Sequence, residues 1–284
     1  MSFFLASFIY ILLAYINYLF NFKVWWKSFF DPETLRNSIR YIPYIELDPI
    51  YVSIFFAISV VFSFKLFFVR KKYIYVIGGL IYLCFVLLLS SKMTILSLFI
   101  ITMVVIIKLF KINKMQLIIT FILTFIILCC FLFYNKRLKE IIEPKTYSYR
   151  VDMNNSTNIR YALYLSSFEL LERNGILGMG FTSTKNEVSN IFIGKYGGDS
   201  EYNTHNQFLS VWLATGILGI ALFIYYLYFN FKLAFLKKDI IFFSVLIIIF
   251  FGLFSENLIE RQFGVLLISF VISFFGFLNL YEFE

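Results

Sequence analysis

The sequence predicts an all-α protein that crosses a membrane several times, and three observations predict this class. Of its 284 residues, 61% are hydrophobic and 15% are charged, whereas a soluble domain is nearer half apolar and a quarter charged. The apolar residues form continuous blocks, several of which reach the roughly 20 residues that a helix needs to cross the hydrocarbon. These blocks lack the alternation of membrane β-barrel strands. We therefore expect a polytopic transmembrane helical bundle.

Eight apolar blocks are interpreted as membrane spans of a single membrane domain, residues 1–284, with ends set to within a few residues. The third and fourth blocks are separated only by Ser90, Ser91 and Lys92, which predicts a tight helical hairpin. The predicted spans are approximately 2–22, 50–69, 73–89, 93–110, 115–134, 207–230, 239–255 and 262–280.

Basic residues in three short loops set the predicted orientation. These loops are Arg70–Lys72, Lys108–Lys114 and Lys232–Lys238, and they fall on one side if eight helices alternate. Short loops rich in Lys and Arg remain in the cytoplasm. Both termini are then cytoplasmic, and residues 135–206 form a large periplasmic or extracellular loop. The chain is expected in the bacterial cytoplasmic (inner) membrane, and its net charge of +8 reflects topology instead of a nucleic-acid partner.

The long outer loop contains one helical pattern, from Asn158 to Asn174. Ser156 or Asn158 can cap its start, and Asn174–Gly175 is a good stop. We expect a short amphipathic helix that lies on the membrane surface or on the bundle. Its predicted apolar face carries Ile159, Ala162, Leu165, Phe168 and Leu171 or Glu172, and its opposite face carries Arg160, Tyr164 and Ser167.

His205 is the only histidine in the chain and precedes a long apolar block. With Asn203 or Thr204 as the helix cap, His205 would occupy the first turn of the sixth span, at the outer boundary. The positive end of the helix dipole there favours neutral imidazole, which suits a general base. The alternative is an interfacial residue that anchors the helix end. Further along, Gly216 and Gly219 allow another backbone to approach closely.

Two cations on the predicted outer side are candidates for binding an anion. Lys92, between the third and fourth spans, either snorkels or pairs with a negative group. Arg160 opens the loop helix, where the dipole disfavours a cation by up to about 1 kcal/mol; either phosphate binding or solvent exposure accounts for it. A rim of mixed charge shares this side: Arg36, Arg40, Glu256, Glu260 and Arg261.

Cofactor and metal sites are not predicted. One histidine and three cysteines within predicted spans give no metal-binding spacing. The sequence also contains neither a P-loop nor a dinucleotide-binding fingerprint.

Three segments together resemble the bacterial O-antigen ligase and O-antigen or capsule polymerase superfamily. Residues 203–209, Asn-Thr-His-Asn-Gln-Phe-Leu, followed by Gly216 and Gly219, match the family's H-N-x-[YF]-L helix start and G-x-x-G. Residues 156–160 and 175–181 resemble its S-x-R-x-x-x-[WY] helix and G-x-G-[FY] turn, with Tyr164 in the aromatic place.

The third segment is the apolar run ending in Ser90-Ser91-Lys92, which is similar to the family's S-x-[RK]. Asp48-Pro49-Ile50-Tyr51 resembles an H-P-x-Y element in which Asp48 replaces histidine. The resemblance extends over roughly residues 45 to 280. Family members usually have about ten to fourteen spans, so eight predicted spans suggest a compact or N-terminally short member.

The resemblance implies a GT-C-like membrane glycosyltransferase that uses an oligosaccharide on undecaprenyl diphosphate as donor, without a metal or cofactor. By position, Lys92 and Arg160 would hold the diphosphate and His205 would activate the acceptor. Asn206 and Tyr164, as motif residues, and Arg36, Arg40 and Glu256, on the rim, are candidate supporting residues. Its other partners would be a glycan or lipid-linked acceptor and membrane lipids.

Two classes of function remain open at this point. The first is glycan transfer in lipopolysaccharide or capsule synthesis, either by a polymerase acting on another glycan, which we favour, or by a ligase acting on the lipid A core. The second is a non-enzymatic glycolipid flippase or permease. That class favours polar residues buried within spans and internal repeats, whereas the predicted spans here are almost wholly apolar.

Overall fold

The structure, a computed structural model, describes residues 2–21, 32–42, 45, 47–110, 151–153, 155–199 and 201–281. In these residues the regular elements are helices. They are α1 (Ser2–Asn21), α2 (Pro32–Arg40), α3 (Pro49–Arg70), α4 (Ile74–Leu88), α5 (Lys92–Phe110), α6 (Ser156–Asn174), α7 (Phe181–Tyr196), α8 (Gln207–Leu236), α9 (Ile240–Ser255), a 3₁₀ turn (Leu258–Glu260) and α10 (Gln262–Tyr281).

Several helices have the length and composition of membrane spans. Among the described residues, three long apolar segments can cross a membrane: Pro49–Arg70, Gln207–Leu236 and Gln262–Asn279. Four shorter apolar helical segments accompany them, Phe3–Leu19, Ile74–Leu88, Lys92–Val105 and Ile240–Ser255. The predicted class of multi-pass helical membrane protein is therefore confirmed, while the predicted span 115–134 lies outside the described residues.

The chain divides into two compact units, each described by itself. The first comprises Met1–Thr124 and Asp239–Phe251, and the second comprises Phe125–Lys238 and Gly252–Glu284. In the first unit α3 packs along α4, and α1 contacts both. Phe56 and Tyr82 are fully buried there, and the Tyr82 hydroxyl donates to the Phe4 carbonyl at 2.6 Å.

The predicted hairpin of the third and fourth spans is confirmed in the first unit. α4 ends at Leu88 and α5 begins at Lys92, with Ser90 between them in the left-handed region at φ 53°. The Leu87 carbonyl at the helix end accepts from both the amide and the hydroxyl of Ser90, at 3.0 and 3.3 Å.

The second unit contains a small apolar core built from the loop helices and the start of α8. Its residues come from the long loop, except Leu213, which belongs to the predicted span and is fully buried. The first two turns of α8 therefore belong to the same packed body as α6 and α7. The buried members are Ala162, Leu163, Leu170, Val188, Phe192 and Leu213.

The structure corrects two details of the predicted loop helix. Its cap is Asn155, whose side chain accepts from the Thr157 and Asn158 amides, instead of Ser156 or Asn158. The predicted apolar stripe is buried only in part. Ala162 is buried and Ile159 and Leu171 pack against the core, whereas Leu165 and Phe168 are 36% and 51% exposed.

The face that is buried carries Ser166 and Ser167 beside Leu163 and Leu170. Their hydroxyls donate to the Ala162 and Leu163 carbonyls one turn back, at 2.9 and 2.7 Å. Serines that bond within their own helix need no outside partner and leave room for α7 and α8 to approach. Tertiary packing therefore turned inward a face on which serines lie beside leucines. The helix ends at Asn174 as predicted.

α8 is broken at Gly216, where φ is 70° and ψ is −166°. An unbroken helix would pair the Leu213 and Ala214 carbonyls with the amides four residues later. The turn of residues 175–180 supplies the missing partners, so the predicted close approach at Gly216 is confirmed. Three backbone hydrogen bonds make the contact: Met179 N to Leu213 O at 2.8 Å, Gly180 N to Ala214 O at 2.9 Å and Ile217 N to Ile176 O at 3.1 Å.

Candidate catalytic site

His205 lies just before α8 instead of in its first turn. The cap is Asn206, whose side-chain oxygen accepts from the Phe208 and Leu209 amides at 2.9 and 3.2 Å. The predicted cap at Asn203 or Thr204 was therefore wrong by two or three residues. His205 has φ 45°, and its amide donates to the Asn203 side chain at 3.1 Å. The backbone turns sharply here, and this turn sets the direction of the imidazole.

The imidazole of His205 contacts the carboxylate of Glu256. Nδ1 lies 3.1 Å from both Oε1 and Oε2. The side chains are 23% and 11% exposed, so the pair is largely shielded from water. When Glu256 is ionised and the imidazole is neutral, Nδ1–H donates to the carboxylate and the lone pair lies on Nε2. This is the geometry that a histidine base with an acidic partner would need.

Arg160 binds the same carboxylate. One of its terminal nitrogens donates to Glu256 Oε1 at 3.2 Å, and its side chain is 23% exposed. Its Nε is buried and has no hydrogen-bond partner among the described residues. A guanidinium carries five N–H donors, so the contact with Glu256 uses only part of its capacity. The guanidinium therefore has donors beyond the one that binds Glu256.

Tyr164 lies one turn after Arg160 and joins the same cluster. Its hydroxyl donates to the Phe254 carbonyl at 3.0 Å, two residues before Glu256. Burial raises the pKa of this phenol above its ordinary value, while the Arg160 charge and a hydrogen bond with Asn206 oppose the shift. The phenol is therefore a neutral donor near pH 7, and it ties α6 to the segment that carries Glu256.

Side-chain hydrogen bonds hold the start of α8 against residues 255–260. Thr204 Oγ1 donates to Asn257 Oδ1 at 3.1 Å, and Asn257 Nδ2 donates to Glu260 Oε1 at 2.7 Å. The Ser210 hydroxyl bonds to the same Glu260 oxygen. Gln207 accepts from the Ile259 amide at 2.8 Å. His205 and Glu256 are thus positioned by two backbone segments that are bonded to each other around them.

The other predicted site residues lie in the first unit. Lys92 is half-buried and begins α5. Arg36 is buried and bonds to the Leu89 carbonyl at the end of α4, near Lys92 in sequence. Arg40 pairs with Asp48 at 3.1 Å on an exposed surface. Asp48 also caps α3 by accepting from the Ile50 amide at 3.0 Å. Asp48 replaces the histidine of the family's H-P-x-Y element, and here it has a structural role.

Sequence reasoning ranked Glu256 among several rim residues and missed its direct contact with His205. It also missed Tyr202, whose ring lies 5.6 Å from the imidazole, and Asn203 as the partner of the His205 amide. The available signal was Ser255-Glu256-Asn257, a polar interruption between two apolar blocks.

The helices and this cluster define a multi-pass membrane protein with a shielded acid–histidine–arginine site. The family model described as O-antigen ligase matches residues 77–224. Because this match covers more than half of the 284 residues, the chain belongs to the O-antigen ligase family. It is accordingly a membrane protein of polysaccharide biosynthesis.

The matched segment contains Lys92, Arg160 and His205 and ends before Glu256. No curated protein matches the chain at a significant level. The predicted superfamily is thus confirmed by the family match.

Proposed function

We propose that this protein transfers an oligosaccharide en bloc from undecaprenyl diphosphate to a glycan acceptor, outside the cytoplasmic membrane, as a polysaccharide polymerase. The observation that carries the proposal is the contact of His205 Nδ1 with Glu256, 3.1 Å long, in a chain of the O-antigen ligase family. A shielded histidine with a carboxylate partner is suited to removing a proton from a sugar hydroxyl.

The reaction has a simple balance. The acceptor hydroxyl loses its proton to His205 Nε2 while its oxygen forms a bond to the anomeric carbon of the donor. The bond between that carbon and the diphosphate oxygen breaks, and its electron pair leaves with the diphosphate. Glu256 stabilises the resulting imidazolium and holds the ring in the tautomer that leaves Nε2 free.

The leaving group needs fixed positive charge. Arg160 retains donors beyond the one given to Glu256, and its Nε has no partner among the described residues. Lys92 is the second proposed diphosphate ligand, and this role rests on its place in the family's S-x-[RK] segment. Positioned cations stabilise charge that develops on a departing diphosphate, so the protein needs no metal in this mechanism.

Glycan chain-length analysis of a deletion strain, complemented with the wild-type gene, tests this function. Single units on lipid with loss of the long polymer support a polymerase. Full-length polymer left on the carrier lipid supports the ligase alternative. Loss of the surface glycan together with accumulation of single-unit donor on the cytoplasmic side supports the flippase alternative and contradicts glycosyl transfer.

A second measurement addresses the chemistry directly. Purified protein in nanodiscs, given the lipid-linked donor, should release undecaprenyl diphosphate in proportion to the new glycosidic bonds formed. Inclusion of a chelator should leave this rate unchanged, because cationic side chains bind the leaving group in the proposed mechanism.

A further inference from the structure

The turn between α6 and α7 projects large apolar side chains that no part of the described structure covers. Ile176 is 78% exposed and Leu177 is 88% exposed. Residues 174–184 contain no charged side chain, with Arg173 and Lys185 as the flanking charges. An exposed apolar surface of this kind usually marks a contact with a partner or with lipid.

This turn is fixed in place by α8. Ile176 and Met179 bond through their backbones to Ile217 and Leu213, and Gly178 lies directly against the Gly216 backbone. The Trp212 indole also donates to the Gly175 carbonyl at 3.0 Å. The projecting side chains therefore have a fixed position relative to the helix break.

The break separates α8 into two parts with different surroundings. The part before Gly216 contributes Leu213 to the core shared with α6 and α7. The apolar section after it, residues 217–231, ends at the basic segment that begins with Lys232. At 1.5 Å per residue it spans about 22 Å, less than the roughly 30 Å of the hydrocarbon layer. If the segment from Lys232 is cytoplasmic, the hydrocarbon layer therefore reaches the level of the turn.

The apolar surface of the turn continues onto this span. Ile217 and Leu218 are 55% and 76% exposed beside the turn, and Leu222 on the next turn of the helix is 69% exposed. Exposed apolar side chains of a membrane span face acyl chains. The same environment must therefore reach the level of Ile217, to which the Ile176 carbonyl is bonded.

We propose that Ile176 and Leu177 insert into the outer leaflet of the bilayer as an apolar wedge, with acyl chains as the occupant of this surface. The backbone of the turn can enter the hydrocarbon boundary because three of its groups are bonded to the broken helix. Unsatisfied backbone groups could not do so. The wedge would fix the loop helices, and Arg160 with them, at a set depth relative to the membrane.

The test is depth-dependent quenching of a fluorescent bimane on Leu177→Cys, with Cys84, Cys129 and Cys130 replaced by serine. The protein is placed in nanodiscs of phosphatidylglycerol and phosphatidylcholine, with or without lipids carrying a nitroxide on the acyl chain. Glu187→Cys, exposed on α7, is the matched control. Leu177 is 88% exposed, so its replacement should leave the fold intact. Ile176→Cys provides a second labelling position.

We expect acyl-chain nitroxide to quench bimane at positions 177 and 176, while aqueous iodide quenches only at 187. Quenching at 177 by iodide and not by nitroxide would overturn the proposal. Protection from iodide only after undecaprenyl phosphate is added would also overturn it, in favour of the carrier tail as occupant. Because the nanodiscs contain no donor, the result is independent of glycosyl transfer.

Discussion

His205 Nδ1 lies 3.1 Å from both carboxylate oxygens of Glu256, although 51 positions separate the two residues in the sequence. The same carboxylate binds Arg160 at 3.2 Å. A histidine, its acidic partner and a cation with spare donors are therefore assembled from three separate segments of the chain.

Replacement of His205 separates a catalytic role from an interfacial anchor. Loss of a general base typically lowers the rate by about 10²–10⁴, so His205→Ala and His205→Gln should both lose long polymer at matched expression. An anchor would tolerate Gln with little loss. Donor turnover by purified protein measures the effect, and near-normal turnover in both variants would remove His205 from the mechanism. Recovery in Gln but not in Ala would indicate positioning instead of proton transfer.

Glu256→Gln should lower kcat by at least about 10²-fold with little change in KM, because the amide keeps the shape but not the charge that stabilises imidazolium. Glu169→Gln is the matched control, since Glu169 forms an ion pair with Lys195 on the same unit and does not contact His205. Equal effects of the two changes on turnover would contradict a specific role. Thermal unfolding in detergent detects any loss of stability from the unpaired Arg160.

Arg160→Ala should abolish polymer, whereas Arg160→Lys should keep the fold and lose part of the activity, because lysine lacks the guanidinium's fork of donors. Removing one partner of a shielded ion pair can cost about 3–5 kcal/mol, so protein levels must be measured alongside. Arg173→Ala, on the exposed end of the same helix with its side chain 70% exposed, should be nearly neutral. Full activity of Arg160→Ala would exclude diphosphate binding by this residue.

Lys92→Ala should likewise abolish polymer, and Lys92→Arg should retain substantial activity because both side chains supply a cation at the start of α5. Lys72→Ala, in a basic turn on the predicted cytoplasmic side, is the control for loss of charge. Polymer length on gels and donor turnover are the measurements. Wild-type activity of Lys92→Ala would contradict diphosphate binding by Lys92.

Gly216→Ala should destabilise the protein and reduce activity. At φ 70° and ψ −166° the backbone is in a region that is essentially restricted to glycine, at a cost of about 1–3 kcal/mol for other residues. An added Cβ would also lie 2.3 Å from the Ile176 carbonyl oxygen. Gly194→Ala on α7 is the control, because a Cβ there meets no atom within 4 Å. Equal melting temperatures for the two variants would contradict the tight contact.

Topology is tested by labelling single cysteines in intact cells with a reagent that does not cross the inner membrane. Glu187→Cys on α7 should react and Lys238→Cys should not, since the basic turn at Lys238 is predicted to be cytoplasmic. Both sites should react after the membrane is permeabilised. Labelling at 238 and not at 187 would reverse the orientation.

The sequence by itself determined the class of protein, because membrane spans, basic turns and short motifs are local properties of a chain. Long apolar blocks predicted the helices, the Ser90–Lys92 interruption predicted the hairpin, and the segment around His205 predicted the family.

Only the tertiary structure decided the partner of His205, the buried face of α6 and the break in α8. Glu256 is brought to His205 by the return of the chain after α9, which no local pattern encodes. Small serines that bond within α6 let its less apolar face pack inward. The break at Gly216 is stable because a turn from a distant part of the chain bonds to the freed carbonyls, and such long-range pairing depends on the folded backbone.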